Sequence, residues 1–173
     1  RAEHFMPAFE RGMSLHDAEI DAITSNNDEP TFENTILAYD NAGQMLAQTE
    51  LIFGMLCAAE TNERMQALQE QVMPLLSAHR DKIRLDEKLF ARVKDVYDRR
   101  ASLGLDAEQS RLLRKTYDAF VRSGALLDAG QKARLKEING ELSLTAVKFG
   151  NNILAENNNF ALELTADDLE GLP

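Results

Sequence analysis

Three histidines and one cysteine carry most of the chemistry this sequence could offer: His4, His16, His79 and Cys57. A helix that holds zinc for hydrolysis needs two imidazoles one turn apart with a glutamate after the first, His-Glu-x-x-His. Here the histidines are followed by Phe5, Asp17 and Arg80, so none opens that pattern. A di-iron bundle needs Glu-x-x-His. The residues three before each histidine are Arg1, Met13 and Leu76. His16-x-x-Glu19 is the reverse order and a weak signal. There is no Gly-x-Ser-x-Gly turn, and Gly104, Gly124 and Gly130 stand singly rather than in a phosphate-binding loop. Residue types and spacing therefore assign no catalytic residue and no metal ligand within the chain, and they name no substrate contact.

Composition narrows the classes further. A chain of 173 residues suits one domain with a sizeable core. Hydrophobic residues make up 44%, charged residues 28%, and there are nine glycines and four prolines, an ordinary globular balance. No apolar run approaches the ~18 residues of a membrane-spanning helix. The formal net charge of −10 argues against nucleic acid or an anionic membrane as partner. Basic residues such as Arg99, Arg100, Arg111, Arg114 and Lys115 alternate with acids and read as solvated helix faces. With Cys57 alone, no internal disulfide can form, which suits a reducing compartment, and a cytoplasmic location is expected. No signal peptide is visible. The sequence begins at Arg1 rather than Met, so a removed leader stays open.

The elements that must position these residues are helical. The first should start near Pro7, with Phe9, Met13, His16, Ile20 and Ile23 at 4-3 spacing on its inner face. His16 thereby falls on the buried stripe, where a hydrogen-bonded core histidine is expected rather than a ligand or base. A second helix starts at Pro30-Thr31-Phe32-Glu33-Asn34-Thr35-Ile36, with Thr31 as N-cap and Glu33 in the first turn. Its stripe is Phe32, Ile36, Tyr39, Gly43, Leu46, Phe53 and Cys57, broken by Glu50. That pattern predicts one helix of roughly 28 residues, about 42 Å long, with Cys57 as a small buried hydrophobe. Thr61 or Asn62 caps a third, lined by Met65, Leu68, Val72, Leu76, His79 and Ile83, with a kink expected at Pro74. His79 again lies on the stripe.

Three further helices begin with an aspartate after a leucine, at Asp86, Asp106 and Asp128. Gln109 and Gln131 stand where a capping box needs them. The fourth helix is lined by Val93, Val96 and Tyr97. The fifth is lined by Leu113, Thr116, Tyr117 and Phe120, and the sixth by Leu135, Ile138, Leu142, Thr145 and Phe149. Gly140 and Gly150 inside the sixth each cost about 1 kcal/mol against alanine, which close helix contact could offset. After Asn157-Asn158-Asn159, residues 160–164 alternate apolar and polar like a strand. Thr165-Ala166-Asp167-Asp168 then reads as a helix start. The fold class expected is all-α: about six helices, mostly antiparallel and bundle-like, with one short strand and a helix start at the C-terminus. Phe32, Ile36, Leu46, Phe53, Val72, Leu76, Tyr97, Tyr117, Phe120, Leu142 and Phe149 are the expected core.

The heptapeptide Pro30, Thr31, Phe32, Glu33, Asn34, Thr35, Ile36 resembles the N-terminal motif of the thimet-oligopeptidase family of zinc metallopeptidases, in its peptidyl-dipeptidase and oligopeptidase A branch. Other stretches agree in order: Glu3-His4-Phe5 with Pro7-Ala8-Phe9-Glu10, Ala78-His79-Arg80-Asp81, Leu103-Gly104-Leu105-Asp106, Phe120-Val121-Arg122, Leu135-Lys136-Glu137-Ile138-Asn139 and Gly171-Leu172-Pro173. The resemblance runs from end to end of the chain and covers the N-terminal helical part of such an enzyme.

That resemblance implies a two-lobed enzyme with a deep channel that admits short, unstructured peptides. It implies one zinc, held by a His-Glu-x-x-His helix that this sequence lacks. Residues 1–159 would be the N-terminal helical lobe, and 160–173 the start of the connection to a catalytic region. The lobe would form channel wall and limit substrate size without catalysis of its own. Its partners would be its catalytic lobe and short peptides, in a monomer. Exo- and endopeptidase action stay open, and the heptapeptide itself reads as a packing and capping signature. The alternatives are a free-standing helical protein-interaction module and a homodimer joined through residues 160–164.

Overall fold

The computed structural model describes residues 1–163. A 3-10 turn, Ala2–His4, leads into α1, Phe5–Thr24. A π-helical turn, Phe32–Leu37, runs directly into the short α2, Ala38–Asn41. Then come α3 (Gln44–Ala59), α4 (Glu63–Arg84), α5 (Glu87–Asp98), a 3-10 turn (Arg100–Ser102), α6 (Ala107–Arg122) and α7 (Ala129–Asn159). The chain is all-α, with six longer helices and no strand among the described residues. None of these helices is long and apolar enough to cross a membrane.

The helix starts follow from local chemistry. Asp86, Asp106 and Asp128 each accept a hydrogen bond from the backbone N–H three residues on, at 2.7, 2.8 and 2.8 Å. Gln109 and Gln131 accept in return from the aspartate N–H, completing both boxes. Asn62 does the same for Met65 N–H at 3.1 Å. Each cap satisfies a donor the helix cannot, and stabilises by about 1 kcal/mol. Helix α4 runs through Pro74 without interruption.

Two apolar clusters form the interior. One gathers Ile20 and Ile23 of α1, Phe32 and Ile36, Ile83, the α5 face Leu89, Phe90, Val93 and Val96, and Leu113 and Phe120 of α6. The other gathers Phe9, Leu46, Phe53, Met65, Val72 and Leu76. Phe5, Phe9 and Phe53 pack there with ring centroids 5.0–6.5 Å apart. Tyr97 and Tyr117 stack at 3.9 Å at the edge of the first cluster, half-buried rather than enclosed. Helices α1 and α4 each contribute to both clusters, so one stripe serves two cores.

Three expectations are corrected. The long second helix is broken at Ala42 and Gly43. Gly43 adopts φ 74°, and its N–H donates to Glu19 Oε2 at 2.7 Å. A Cβ at Gly43 would lie 2.8 Å from the His16 ring, so glycine is required both by its dihedral and by space. Leu142 and Phe149 are not core: they are 62% and 66% exposed. Helix α7 lies along α4 and turns inward a row of small and polar residues (Asn139, Ser143, Val147, Asn151), of which Val147 alone is buried. Asn139 donates to Asp81 at 2.8 Å across that seam. The apolar row points the other way. Residues 160–163 carry no strand, because no extended edge among the described residues can pair with them. Leu164 and the expected helix start after it lie outside the described residues.

Gly140 and Gly150 meet no neighbour: a Cβ at either would find nothing within 4 Å. Close packing is therefore not what retains them. Gly140→Ala should raise the unfolding free energy by about 0.5–1 kcal/mol through helix propensity alone. Urea denaturation of the two proteins checks this, and a loss of stability would mean that the helix is closely packed there after all.

Candidate functional site

His16 and His79 come from stripes 63 residues apart and meet where the two apolar clusters adjoin. On α1, Phe9 and Met13 lie in one cluster and Ile20 and Ile23 in the other, with His16 between them. On α4, Val72 and Leu76 precede His79, and Ile83 follows it into the other cluster. The Gly43 turn falls at the same level. His79 is 7% exposed, and its Nε2 lies 3.2 Å from His16 Nδ1. One ring donates and the other accepts. Asp17 carboxylate stands 3.7 Å from His79 Nδ1 and pairs with Lys82 at 2.8 Å.

A cavity of about 310 Å³ opens beside the pair. Tyr39, Leu46, Glu50, Arg80, Ile83 and Arg84 contribute to its lining. Glu50, which interrupts the apolar stripe of α3, forms an ion pair with Arg80 here. Burial pushes the Tyr39 phenol up, and Arg84 opposes that shift. No serine, threonine or cysteine is among the residues lining the cavity; its hydroxyl is the Tyr39 phenol, which burial holds protonated. Cys57 is partly buried elsewhere, with its thiol pushed up by burial and therefore less nucleophilic.

Burial lowers the pKa of His16, against the raising influence of Glu19, Asp17 and Glu50. Burial also lowers that of His79; Asp17 and Glu50 oppose the shift, while His16 and Lys82 reinforce it. Both rings are thereby favoured neutral, the state in which one N–H can bridge them. Protonating both would set two cations 3.2 Å apart without water between. A depressed histidine contributes stability above its ordinary 6.5 that is lost as pH falls through the folded value. Acidification below about pH 6.5 should therefore lower the urea midpoint of the wild type more than that of a His16→Gln/His79→Gln variant. Equal falls in the two proteins would show that the pair does not couple to folding.

Among the described residues no group of three or more His, Cys, Asp and Glu could hold a metal ion. The pair lacks a third donor, and His4 is exposed at the far end of the chain. The donors described here thus do not fit the zinc that the sequence resemblance implies.

The heptapeptide forms a second constellation. Thr31 Oγ1 accepts from Asn34 N–H at 3.1 Å, and Asn34 Oδ1 accepts from Thr31 N–H at 2.8 Å. Asn34 Oδ1 also takes Thr35 Oγ1–H at 2.8 Å and Arg92 Nη2–H at 3.1 Å. Its Nδ2 donates to Glu29 carbonyl at 2.9 Å. Arg92 further holds the carbonyls of Asn26 and Asp28, while Arg99 holds Glu29 and Pro30. Phe32, Thr35 and Ile36 are buried beneath. Thr31 as N-cap was legible in sequence; the part of Asn34 in a box with it was not, since a capping box ordinarily carries Glu or Gln at that place. Pro30 and Glu33 make no contact that identifies a ligand.

No family model matches the chain. Among individual proteins, it is 42% identical over 154 residues to the dipeptidyl carboxypeptidase of Escherichia coli (strain K12), covering 89% of this chain and 23% of that protein. The dipeptidyl carboxypeptidase of Salmonella typhimurium is 39% identical over 152 residues, covering 88% and 22%. A thimet-like oligopeptidase of Dictyostelium discoideum is 24% identical over 176 residues, covering 100% and 25%. The resemblance read from the heptapeptide is thereby borne out. The chain spans about a quarter of the length of these curated relatives.

Proposed function

We propose, from this chain's homology to a segment of the dipeptidyl carboxypeptidases and thimet-like oligopeptidases, that it is the N-terminal helical part of a peptidase acting on short peptides. It forms wall of the substrate channel, limits the size of what enters, and does no catalysis by itself. The match to the E. coli dipeptidyl carboxypeptidase is the observation that carries this reading. The zinc of such an enzyme takes its ligands from elsewhere in the protein. Dipeptide release from peptide C-termini is the activity favoured over internal cleavage, because the two most similar relatives cited bear that name. The lone cysteine suits a cytoplasmic enzyme.

The test is a chimera in which this chain replaces the matching segment of the E. coli enzyme. Expected is a folded protein that releases dipeptides from blocked short peptides, with kcat/KM falling steeply as the peptide lengthens. The isolated chain should cleave none of these peptides, with or without added zinc. Cleavage by the isolated chain, or a chimera that melts like the parent enzyme yet is inactive, would overturn the reading. A second reading, a free-standing interaction module, is favoured by one observation: Leu51, Ile52 and Met55 of α3 are 64%, 55% and 64% exposed. Capture of the isolated chain by a folded protein other than a peptidase would support that one.

A further inference from the structure

Helix α7 carries its apolar residues on the wrong side for this chain. Ile138, Leu142, Phe149 and Ile153 are 44%, 62%, 66% and 46% exposed, and Thr145 lies on the same row. At 100° per residue these five fall within an arc of about 80°, centred about 120° around the helix from Asn139, Ser143 and Val147, the row turned toward α4. The row is about 22 Å long at 1.5 Å per residue, the length of a helix seat. Folded proteins rarely leave an apolar strip of that size to water. A helix of 31 residues that packs chiefly on α4 and has Val147 as its buried residue also lacks the burial that usually holds a helix.

The relatives indicate what covers it. A match of 154 residues within 173 necessarily includes 138–153, so the dipeptidyl carboxypeptidase has a counterpart of this helix. That counterpart sits in a protein of which the match is only 23%. Resting on the function proposed above, we infer that the Ile138, Leu142, Phe149 and Ile153 face of α7 is the seat on which the remainder of the peptidase packs, through an apolar helix of its own. The occupant is that remainder, not a second copy of this chain.

Leu142→Lys and Phe149→Lys, made singly in the chimera, should each lower its melting temperature by roughly 5 °C or more and reduce the yield of active enzyme. In the isolated chain the same variants should leave melting unchanged, since both side chains already face water. Leu126→Lys, at another exposed leucine, should change neither protein. Sedimentation of the isolated chain should show a monomer. A stable, active chimera insensitive to both lysines would sink this inference and leave the proposed function standing. A folded but inactive chimera with the native face would instead sink the function. A dimer of the isolated chain that Phe149→Lys dissolves would overturn the choice of occupant.

Discussion

Phe120→Ala should lower the unfolding free energy by about 3–5 kcal/mol, the range for truncating a fully buried phenylalanine. Phe120 is 1% exposed. Its ring centroid stands 5.2 Å from that of Tyr39 and 6.0 Å from that of Phe90, so one side chain ties α6 to both α5 and the short α2. Alanine there removes the transfer energy of the ring and leaves a hole that three helices cannot all close. Urea denaturation followed by circular dichroism measures the loss. Phe149→Ala in the same chain is the natural contrast. Both residues sit on apolar stripes of their helices, yet the second should cost less than about 0.5 kcal/mol. If the two substitutions cost the same, the division into a filled core and an uncovered face is wrong.

Asn34→Ala should cost about 2–3 kcal/mol, large for a side chain that is only half-buried. The amide is the hub of the heptapeptide. It accepts from Thr31 N–H, Thr35 Oγ1–H and Arg92, and it donates to the Glu29 carbonyl. Alanine frees all four partners at once and undoes the capping box. Asn34→Asp is informative because it keeps the acceptor and strengthens the bond to Arg92, but turns a donor away from Glu29 carbonyl. It should recover part of the loss. A Thr31→Ala variant, which loses one bond to Asn34 N–H, should cost about 1 kcal/mol. If Asn34→Ala were neutral to stability while it damaged peptide cleavage in the chimera, the side chain would belong to substrate binding instead.

The two residue-level surprises have one origin. Gly43 fits the spacing of an apolar stripe as well as any small residue would, and nothing within its own helix forbids continuation. What breaks the helix is Glu19, 24 residues earlier, accepting its N–H, and the His16 ring occupying the space of a Cβ. Likewise, the stripe Leu135, Ile138, Leu142, Thr145 and Phe149 identifies a helix and a face. Periodicity says which side of a helix is apolar, not whether a neighbour is present to cover it.

Sequence alone determined whatever is encoded within a turn or two of chain. The helical class, the caps at Asp86, Asp106 and Asp128, the inner faces of α1 and α4, and the placement of both histidines on those faces are of this kind. Each depends on 3.6-residue periodicity or on a side chain reaching a backbone group three residues away. The heptapeptide adds the resemblance to a known family in the same local way, since its residues stand together in the chain. Tertiary structure decided the rest: the union of His16 with His79, the two cores on either side of them, the break at Gly43, and the outward turn of the α7 stripe. These depend on distances between segments dozens of residues apart. Such distances follow from how all the helices share the available burial, and no single helix carries that information.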